Sequence, residues 1–332
     1  MPRILCALLL AVAGCAALPQ VDRRNGGPAT LRVEPNGDAA TWVRERRDAL
    51  RAFVVDHGAL LVRGLELRGA ADAEEALRAF GGLMPTREAF AARQQYADGV
   101  YSSSPWPPNQ VMCLHHELSY LREPPGFMMF ACLEAPRDGG ATPLADASAV
   151  LRALPAPVVE RFEKEGWLLT RNYHEGIGAS LFEAFGTDDR PSVEEYCRSH
   201  GIDFQWQGDG SLRTWQRRDA VVRHPFSRKK CWFNQVAFLS RWTMAPELRE
   251  YLVDLYGEDG LPFDTSYGNG DPIEAEVIDT INDAYEANAM REKWSAGDLL
   301  FMDNLGTAHG REPYVGPREV LVAMADPARV EA

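Results

Sequence analysis

Two histidines and a glutamate interrupt an apolar run in the stretch VMCLHHELSY, residues 111–120. The run has the composition of a buried β-strand, in which residues two apart point to the same face. His115 and Glu117 can therefore present a nitrogen and a carboxylate oxygen to one point, while His116 faces away. The 2-His-1-carboxylate site of non-haem Fe(II) oxygenases needs one more histidine.

The segment GDLLFMDNLGTAHGREPYVGPREVLVAMADP, near the end of the chain, offers that histidine as His309, beyond an apolar strand. A His-x-Glu pattern occurs often by chance. A buried pair of this kind can also be a hydrogen-bonded couple without a metal. The residue types therefore indicate a metal site and leave the simpler alternative open.

Helical and extended segments alternate around these residues. Apolar residues at helical spacing predict helices at 39–53 and 70–80, the first capped between Asn36 and Asp38. Apolar runs predict strands at 58–67, 111–120, 126–135, 166–173, 230–238, 298–302 and 320–324. Helices near both ends of the chain, around many short strands, favour an α+β fold with a β-sandwich or jelly-roll core over a doubly wound parallel sheet.

Five segments, taken in order, resemble the taurine dioxygenase (TauD/TfdA-like) family of Fe(II)- and 2-oxoglutarate-dependent oxygenases. They are HGALLVRG, LHHELSY, DGGATPLAD, CWFNQ and DNLGTAHGREPYVGPRE. The resemblance covers the chain from about Leu18 to Pro327 and is nearest to the clavaminate synthase-like and syringomycin aspartyl hydroxylase-like members. It implies a double-stranded β-helix (jelly roll) core with flanking helices, and a single dioxygenase domain over 18–332.

The resemblance also implies a site. His115, Glu117 and His309 would bind Fe(II) and leave positions for 2-oxoglutarate and O₂. Arg318 in GPREV matches the arginine that binds the far carboxylate of 2-oxoglutarate, a task suited to a bidentate guanidinium. Thr142 in GGAT matches a supporting hydroxyl. Relatives that install chloride have a small residue in place of the carboxylate, so Glu117 favours hydroxylation, desaturation or epoxidation over halogenation.

Two further residues are candidates for this site. Arg311 could bind the 2-oxoglutarate carboxylate or a substrate carboxylate, or it could pair with a surface acid such as Glu312. Asn234 in CWFNQ could line the substrate pocket, with Trp232 and Phe233 in the core.

The implied substrate is a small polar molecule, an amino acid that is free or tethered to a carrier protein. The alternatives are a catabolic dioxygenase of the taurine or aryloxy-acid type and a non-catalytic metal-binding module on the same fold.

The net charge of −13 argues against non-specific binding to nucleic acid or to an anionic membrane, because the mean field of the chain would repel both. Small molecules and locally docked proteins remain as the expected partners. Seven basic residues between Arg213 and Lys230 accompany one acid, Asp219, which is unusual in so acidic a chain. This basic cluster is either a solvated surface or a docking site for an acidic carrier protein.

Residues 1–17 form an apolar N-terminal segment that includes Cys15. The segment resembles a lipoprotein export signal, but its single basic residue and smooth continuation into the domain favour a non-exported segment or an over-extended start. It is too short for a convincing transmembrane helix. Six cysteines without a C-x-x-C pair indicate free thiols in a reducing compartment, and hence a cytoplasmic protein.

Overall fold

The structure is a computed structural model, and it describes residues 17–34, 38–90, 93–174 and 177–330. The predicted N-terminal segment, including Cys15, lies outside the described residues except for Ala17. Within the described ranges, no helix is both long enough and apolar enough to cross a membrane. The free thiols of these ranges are Cys113, Cys132, Cys197 and Cys231.

The fold combines helices and sheets. The α-helices of the described residues are α1 (Ala39–His57), α2 (Ala70–Phe80), α3 (Ala147–Ala153), α4 (Ala156–Glu165), α5 (Leu181–Phe185), α6 (Arg190–His200), α7 (Pro246–Tyr256) and α8 (Ala275–Ala287). The strands of the first half are β1 (Val21–Asp22), β2 (Thr30–Arg32), β3 (Ala59–Arg63), β4 (Gln95–Ala97), β5 (Val100–Ser102), β6 (Met112–His115), β7 (Pro125–Glu134), β8 (Asp138–Gly139), β9 (Leu144–Asp146) and β10 (Trp167–Tyr173). Those of the second half are β11 (Asp203–Trp206), β12 (Leu212–Arg218), β13 (Val221–Arg223), β14 (Lys230–Trp232), β15 (Phe263–Tyr267), β16 (Ala289–Met290), β17 (Leu299–Asp303), β18 (Thr307–Arg311), β19 (Tyr314–Val315) and β20 (Glu319–Pro327).

Two of the sheets form the part of the fold around the predicted histidine ligands. One has eight strands in the order β1-β2-β3-β17-β7-β20-β5-β4, paired antiparallel except for β2 with β3. The other has four strands in the order β16-β9-β18-β6 and contains the two predicted histidine ligands. A further four-stranded sheet, β11-β12-β10-β15, and the pairs β13-β14 and β19-β8 complete the β-structure of the described residues.

Strand β7 is apolar along most of its length because both of its faces are buried. Side chains alternate across a strand, so the odd-numbered residues 127–131 pack in a core with residues of α1 and α2. The even-numbered residues 128–132 pack in a second core with Leu114, Leu144 and Ala308 of the four-stranded sheet. Each large apolar side chain buried in this way contributes about 1.5–3 kcal/mol. The second core thereby fixes the four-stranded sheet against the eight-stranded one.

Helix α1 ends against the strand that contains His309. Asp38 caps its N-terminus by accepting a hydrogen bond from the Thr41 N–H at 2.7 Å, a contact worth about 1 kcal/mol. Gly58 ends the helix with a φ of 85°. A Cβ at this position would lie 2.5 Å from the hydroxyl oxygen of Thr307 in β18. The left-handed backbone and the close approach together require glycine.

Two predicted strands are shorter than the sequence indicates. Strand β6 ends at His115, and the turn that follows contains Leu118 at a φ of 51°. Strand β14 ends at Trp232. The two-residue alternation therefore does not extend to Glu117 or to Asn234, and the prediction that His115 and Glu117 share one strand face is wrong. Another part of the fold must bring Glu117 to the histidine.

Candidate metal centre and active site

The register of β6 and β18 brings two histidines together. The strands are antiparallel, and His115 is the direct partner of His309. Directly paired residues project from the same face of a sheet, and the two imidazole centroids lie 4.6 Å apart. Gly310 permits this pairing, because a Cβ there would lie 2.6 Å from the backbone oxygen of Met112.

Glu117 approaches the histidines from the turn after β6. Its Oε2 lies 3.7 Å from His115 Nε2 and 3.6 Å from His309 Nε2. Each of the three buried residues offers one ligand atom, and these atoms all lie within 4.8 Å of one another. One metal ion could therefore contact all three. His116 lies outside this group and is fully buried, so a surface position for it is excluded.

The protonation of the three side chains suits a metal. His115 Nδ1 lies 2.8 Å from the backbone oxygen of Cys113, and because a carbonyl only accepts, Nδ1 carries the proton and leaves Nε2 free. Burial lowers the pKa of His309 to about 4. Burial opposes the ionisation of Glu117, but the charge of Arg93, whose Nη2 donates to Oε1 at 2.8 Å, outweighs burial and holds the pKa of Glu117 well below the usual value. Two imidazole nitrogens and one carboxylate are the donor set of non-haem Fe(II) oxygenases, so these residues fit that metal.

A cavity beside the three residues contains the predicted cosubstrate arginine. Its lining includes His115, Glu117, Thr142, His309 and Arg318. The hydrogen-bond acceptors of Arg318 are uncharged, namely Gly140 O at 3.2 Å and Ser103 Oγ at 3.4 Å. Burial, and then the charge of Arg311, lower the pKa of Arg318 to about 10. Within the described residues, this partly buried guanidinium has no carboxylate partner, which is unfavourable, so the cavity is suited to an anion.

Thr142 lies on the wall of the same cavity. Its Oγ1 accepts a hydrogen bond from Trp294 Nε1 at 3.2 Å. A hydroxyl that accepts one hydrogen bond can still donate its own proton. Thr142 can therefore add a donor to the anion site that Arg318 provides.

Arg311 also lines this cavity, but its guanidinium mainly holds a loop. Nη1 donates to the backbone oxygen of Trp106 at 3.0 Å, and Nη2 donates to those of Pro107 and Gln110 at 2.6 and 3.3 Å. The alternative pairing with Glu312 is wrong, because Arg311 is buried and the Glu312 carboxylate accepts from another arginine, at position 291.

A second cavity also touches His115 and Glu117, and most of its wall is apolar. Its phenylalanine, tyrosine and tryptophan residues are Phe90, Trp106, Tyr120, Phe238 and Phe263. Phe238 stacks on the His115 ring with centroids 4.1 Å apart and planes 10° apart. Arg93 and Gln235 contribute polar groups to the wall. This second cavity can hold an organic molecule next to the metal centre.

The structure does not bring Asn234 to either of these cavities. Its Nδ2 donates to the backbone oxygen of Ala220 at 3.0 Å, and its Oδ1 accepts from the Val236 N–H at 3.1 Å. Both polar groups of the side chain are thus used within the protein. The core positions predicted for Trp232 and Phe233 are confirmed, since both are buried.

Sequence reasoning missed several residues of the site. Arg93 follows no recognisable pattern, and Trp106 and Ser103 lie in the proline-rich stretch VYSSSPWPPNQ, which is typical of a loop. Gln235 could have been found as the neighbour of Asn234 in CWFNQ. Phe238 could not, because an aromatic residue in an apolar run usually belongs to the core.

The fold leaves only part of the basic cluster between positions 213 and 230 exposed. Arg213 Nε donates to Asn172 Oδ1, and Arg218 Nε donates to the backbone oxygen of Tyr120, each at 2.7 Å. The exposed basic residues are Arg217, Arg228, Lys229 and Lys230. Phe226, in the turn between β13 and β14, is 72% exposed beside them. The exposed part of the cluster is therefore mainly the tip of one hairpin.

Comparison with known proteins identifies the family of this chain. The sequence model described as taurine catabolism dioxygenase TauD, TfdA family matches residues 24–324. The chain belongs to this family. It is a non-haem, Fe(II)- and 2-oxoglutarate-dependent dioxygenase, an oxidoreductase whose reaction uses Fe(II), 2-oxoglutarate and O₂, and the His–Glu–His group fits this chemistry.

The dioxygenase is similar to two curated proteins over most of its length. It is 35% identical to the dapdiamide synthesis protein DdaC from Enterobacter agglomerans over 82% of this chain and 83% of that protein. It is 26% identical to a clavaminate synthase-like protein from Arabidopsis thaliana over 85% of this chain and 86% of that protein.

Among solved structures, a taurine dioxygenase from Burkholderia xenovorans has a similar fold. It is 15% identical, with a TM-score of 0.51, over 93% of this chain and 91% of that one.

Proposed function

We propose that His115, Glu117 and His309 bind Fe(II) and that Arg318 and Thr142 bind 2-oxoglutarate in this dioxygenase. One observation carries the assignment: one cavity is lined by three metal-ligand side chains and by a partly buried arginine that has no carboxylate partner among the described residues. The guanidinium would pair with the far carboxylate of 2-oxoglutarate, which removes the cost of its burial. Arg311 would support this site indirectly, through the loop that it holds.

The proposed reaction is oxidation of an unactivated carbon, with hydroxylation as its main outcome. In a hydroxylation, the substrate R–H, 2-oxoglutarate and O₂ become R–OH, succinate and CO₂. Iron and 2-oxoglutarate, when bound, supply the oxidising power. The chain itself supplies the ligands, the orientation of the substrate and a site from which water is largely excluded. Desaturation and epoxidation require the same metal centre and differ in how the substrate is held.

We propose a small amino acid-type substrate that has both an apolar part and an anionic or amide group. The aromatic side chains of the second cavity would enclose the apolar part, and Arg93 and Gln235 would meet the polar group. The similarity to a dapdiamide synthesis protein supports this class over a sulfonate or aryloxy acid. A non-catalytic role is disfavoured, because a binding module needs no anion site beside an open metal site.

A carrier-tethered substrate is a second form of the same proposal. The observation in its favour is the hairpin tip with an exposed Phe226 beside Lys229 and Lys230, since an acidic carrier would meet both charge and an apolar side chain there. Neutralising Lys229 and Lys230 at this tip should weaken activity on a carrier-bound substrate and leave activity on the free substrate unchanged. An equal loss on both substrates would refute docking at this tip.

The overall architecture is part of the proposal. We propose that the eight-stranded sheet and the sheet of β16, β9, β18 and β6 form the double-stranded β-helix, and that residues 18–332 are one dioxygenase domain. The apolar core shared by the two sheets supports this arrangement.

The metal and cosubstrate assignment can be tested without knowing the substrate. Purified apoprotein is titrated anaerobically with Fe(II) and then with 2-oxoglutarate, and the weak visible charge-transfer band of the chelate is recorded. We expect the band in the wild type and in a His200→Ala control, and its loss in His309→Ala. A folded wild type that binds iron without giving the band would refute the proposal.

The substrate class is tested next by succinate release. The panel contains free amino acids, N-acyl amino acids, taurine and an aryloxyacetic acid, and the mass of each product separates oxygen insertion from loss of hydrogen. Succinate coupled to turnover of taurine or the aryloxy acid alone would replace the amino acid proposal by the catabolic alternative.

A further inference from the structure

The two oxygens of the Glu117 carboxylate have different neighbours. Oε2 faces His115 Nε2 and His309 Nε2, at 3.7 and 3.6 Å. Oε1 accepts a hydrogen bond from Arg93 Nη2 at 2.8 Å. The carboxylate is thus oriented with one oxygen toward the metal position and the other toward a guanidinium.

The Arg93–Glu117 ion pair is largely shielded from water. The Arg93 side chain is 13% exposed and that of Glu117 is 7% exposed. Ion pairs on the surface contribute little, but breaking a buried pair leaves an uncompensated charge and is strongly unfavourable. The guanidinium therefore holds Oε1 more firmly than a surface arginine could.

Arg93 also lies where the two cavities meet. It lines the cavity of Arg318 and Thr142 as well as the aromatic cavity. A side chain at this boundary is next to the positions where 2-oxoglutarate and substrate would sit. Arg93 can therefore influence how many metal positions remain open to them.

We propose that Arg93 is a positioning residue that makes Glu117 a ligand through Oε2 alone. The inference rests on the proposed function. Three protein ligands leave three positions on a six-coordinate metal, of which 2-oxoglutarate takes two and O₂ takes one. If both oxygens of Glu117 bound the metal, one of these positions would be lost. The hydrogen bond from Arg93 prevents this by engaging Oε1.

A purely structural ion pair gives a different expectation. If Arg93 only stabilised the fold, its removal would lower the stability of the protein without changing the coordination of the metal. If Arg93 controls the carboxylate, its removal should leave iron binding nearly intact and weaken the binding of 2-oxoglutarate. The ratio of the two affinities therefore distinguishes the two roles.

The test compares Arg93→Gln and Arg93→Lys with the wild type and with Arg87→Gln, an exposed arginine of the same segment. Fe(II) and then 2-oxoglutarate are titrated anaerobically, and both affinities and the charge-transfer band are recorded. For Arg93→Gln we expect little change in Fe(II) affinity, a loss of 2-oxoglutarate affinity of about ten-fold or more, as for a charge-assisted hydrogen bond, and a shifted band. Arg93→Lys should recover part of the lost 2-oxoglutarate affinity. Arg87→Gln should have the affinities and the band of the wild type.

A folded Arg93→Gln protein with wild-type 2-oxoglutarate affinity and an unshifted band would overturn the inference while leaving the proposed function intact. Absence of the band in the wild type would overturn both. If the Gln variant does not fold, a crystal structure of the wild-type protein with Fe(II) and 2-oxoglutarate decides the question. Oε1 on Arg93 and Oε2 on the metal would support the proposal, and both oxygens on the metal would refute it.

Discussion

Asn304 and Glu117 are joined by a pair of hydrogen bonds between the Asn304 side chain and the Glu117 backbone. Asn304 Oδ1 accepts from the Glu117 N–H at 2.9 Å, and its Nδ2 donates to the Glu117 carbonyl at 3.0 Å. Nδ2 also donates to the backbone oxygen of Pro125 at 2.9 Å. The turn after β6 is thereby tied to the end of β17 and to the start of β7. This contact replaces strand alternation as the reason that Glu117 lies beside His115.

Asn304→Ala should destabilise the protein and weaken metal binding together. The substitution leaves three buried backbone groups without partners, each costing about 1–3 kcal/mol. We expect the free energy of unfolding, measured with urea, to fall by roughly 3 kcal/mol and the Fe(II) affinity to fall as Glu117 moves. Asn25→Ala, at an exposed turn, is the control and should change neither quantity. Unchanged Fe(II) affinity in Asn304→Ala would show that the turn holds Glu117 without it.

Arg318→Gln should abolish most of the binding of 2-oxoglutarate and leave Fe(II) binding unchanged. A bidentate pair between guanidinium and carboxylate contributes roughly 3 kcal/mol, or about a hundred-fold in affinity. Arg318→Lys keeps the positive charge but not the paired N–H donors of the guanidinium, so its affinity for 2-oxoglutarate should be intermediate. Isothermal titration of the metal-loaded protein measures the affinity, with the exposed Arg329→Gln as control. Wild-type affinity in Arg318→Gln would assign the carboxylate to another residue.

Arg311→Gln should loosen the loop at 104–110. The wild-type guanidinium holds three backbone oxygens of this loop, and glutamine cannot reach all of them. We expect faster amide hydrogen exchange in this segment, measured by mass spectrometry. We also expect a weaker substrate affinity, because Trp106 lines the second cavity, where we propose that the substrate binds. Arg291→Gln removes the arginine that does pair with Glu312 and should leave exchange in the loop unchanged. Equal exchange in wild type and Arg311→Gln would contradict this role.

The metal-free protein should lose stability as the pH falls below about 6.5. Burial lowers the pKa of His116 from 6.5 to about 3, so the unfolded chain binds a proton at a pH where the folded chain does not. The stability is fully present above pH 6.5 and is lost as the pH falls toward 3, at about 1.4 kcal/mol per pH unit for each such histidine. Urea unfolding at several pH values between 7 and 5 measures the slope. His116→Gln should reduce the slope of unfolding free energy against pH by the contribution of one histidine. Identical slopes in the wild type and in His116→Gln would refute the assignment of this pH dependence to His116.

The site residues that the sequence predicts are those with a chemical signature, that is, a side-chain type that is unusual in its segment or that matches a family motif. Histidine and glutamate in an apolar run indicate a metal because such residues are seldom buried otherwise, and Arg318 is predicted from the resemblance of its segment to the family. Arg93 has no such signature, because it lies in a polar stretch 24 residues before Glu117. The Asn234 prediction relied on alternation along a strand that in fact ends at Trp232.

The sequence by itself, through residue types and its resemblance to the family, determined which side chains are candidates to bind iron and 2-oxoglutarate, and its apolar pattern determined the period of helices such as α1 and of strands such as β7. These properties depend on residue type and on neighbours a few positions away. Only the tertiary structure decided that Arg93 binds Glu117, that Arg311 binds loop carbonyls and that Arg318, within the described residues, meets only uncharged acceptors. The three arginines are chemically identical, so their roles follow from long-range pairing and packing. That pairing depends on the whole chain and leaves no local pattern in the sequence.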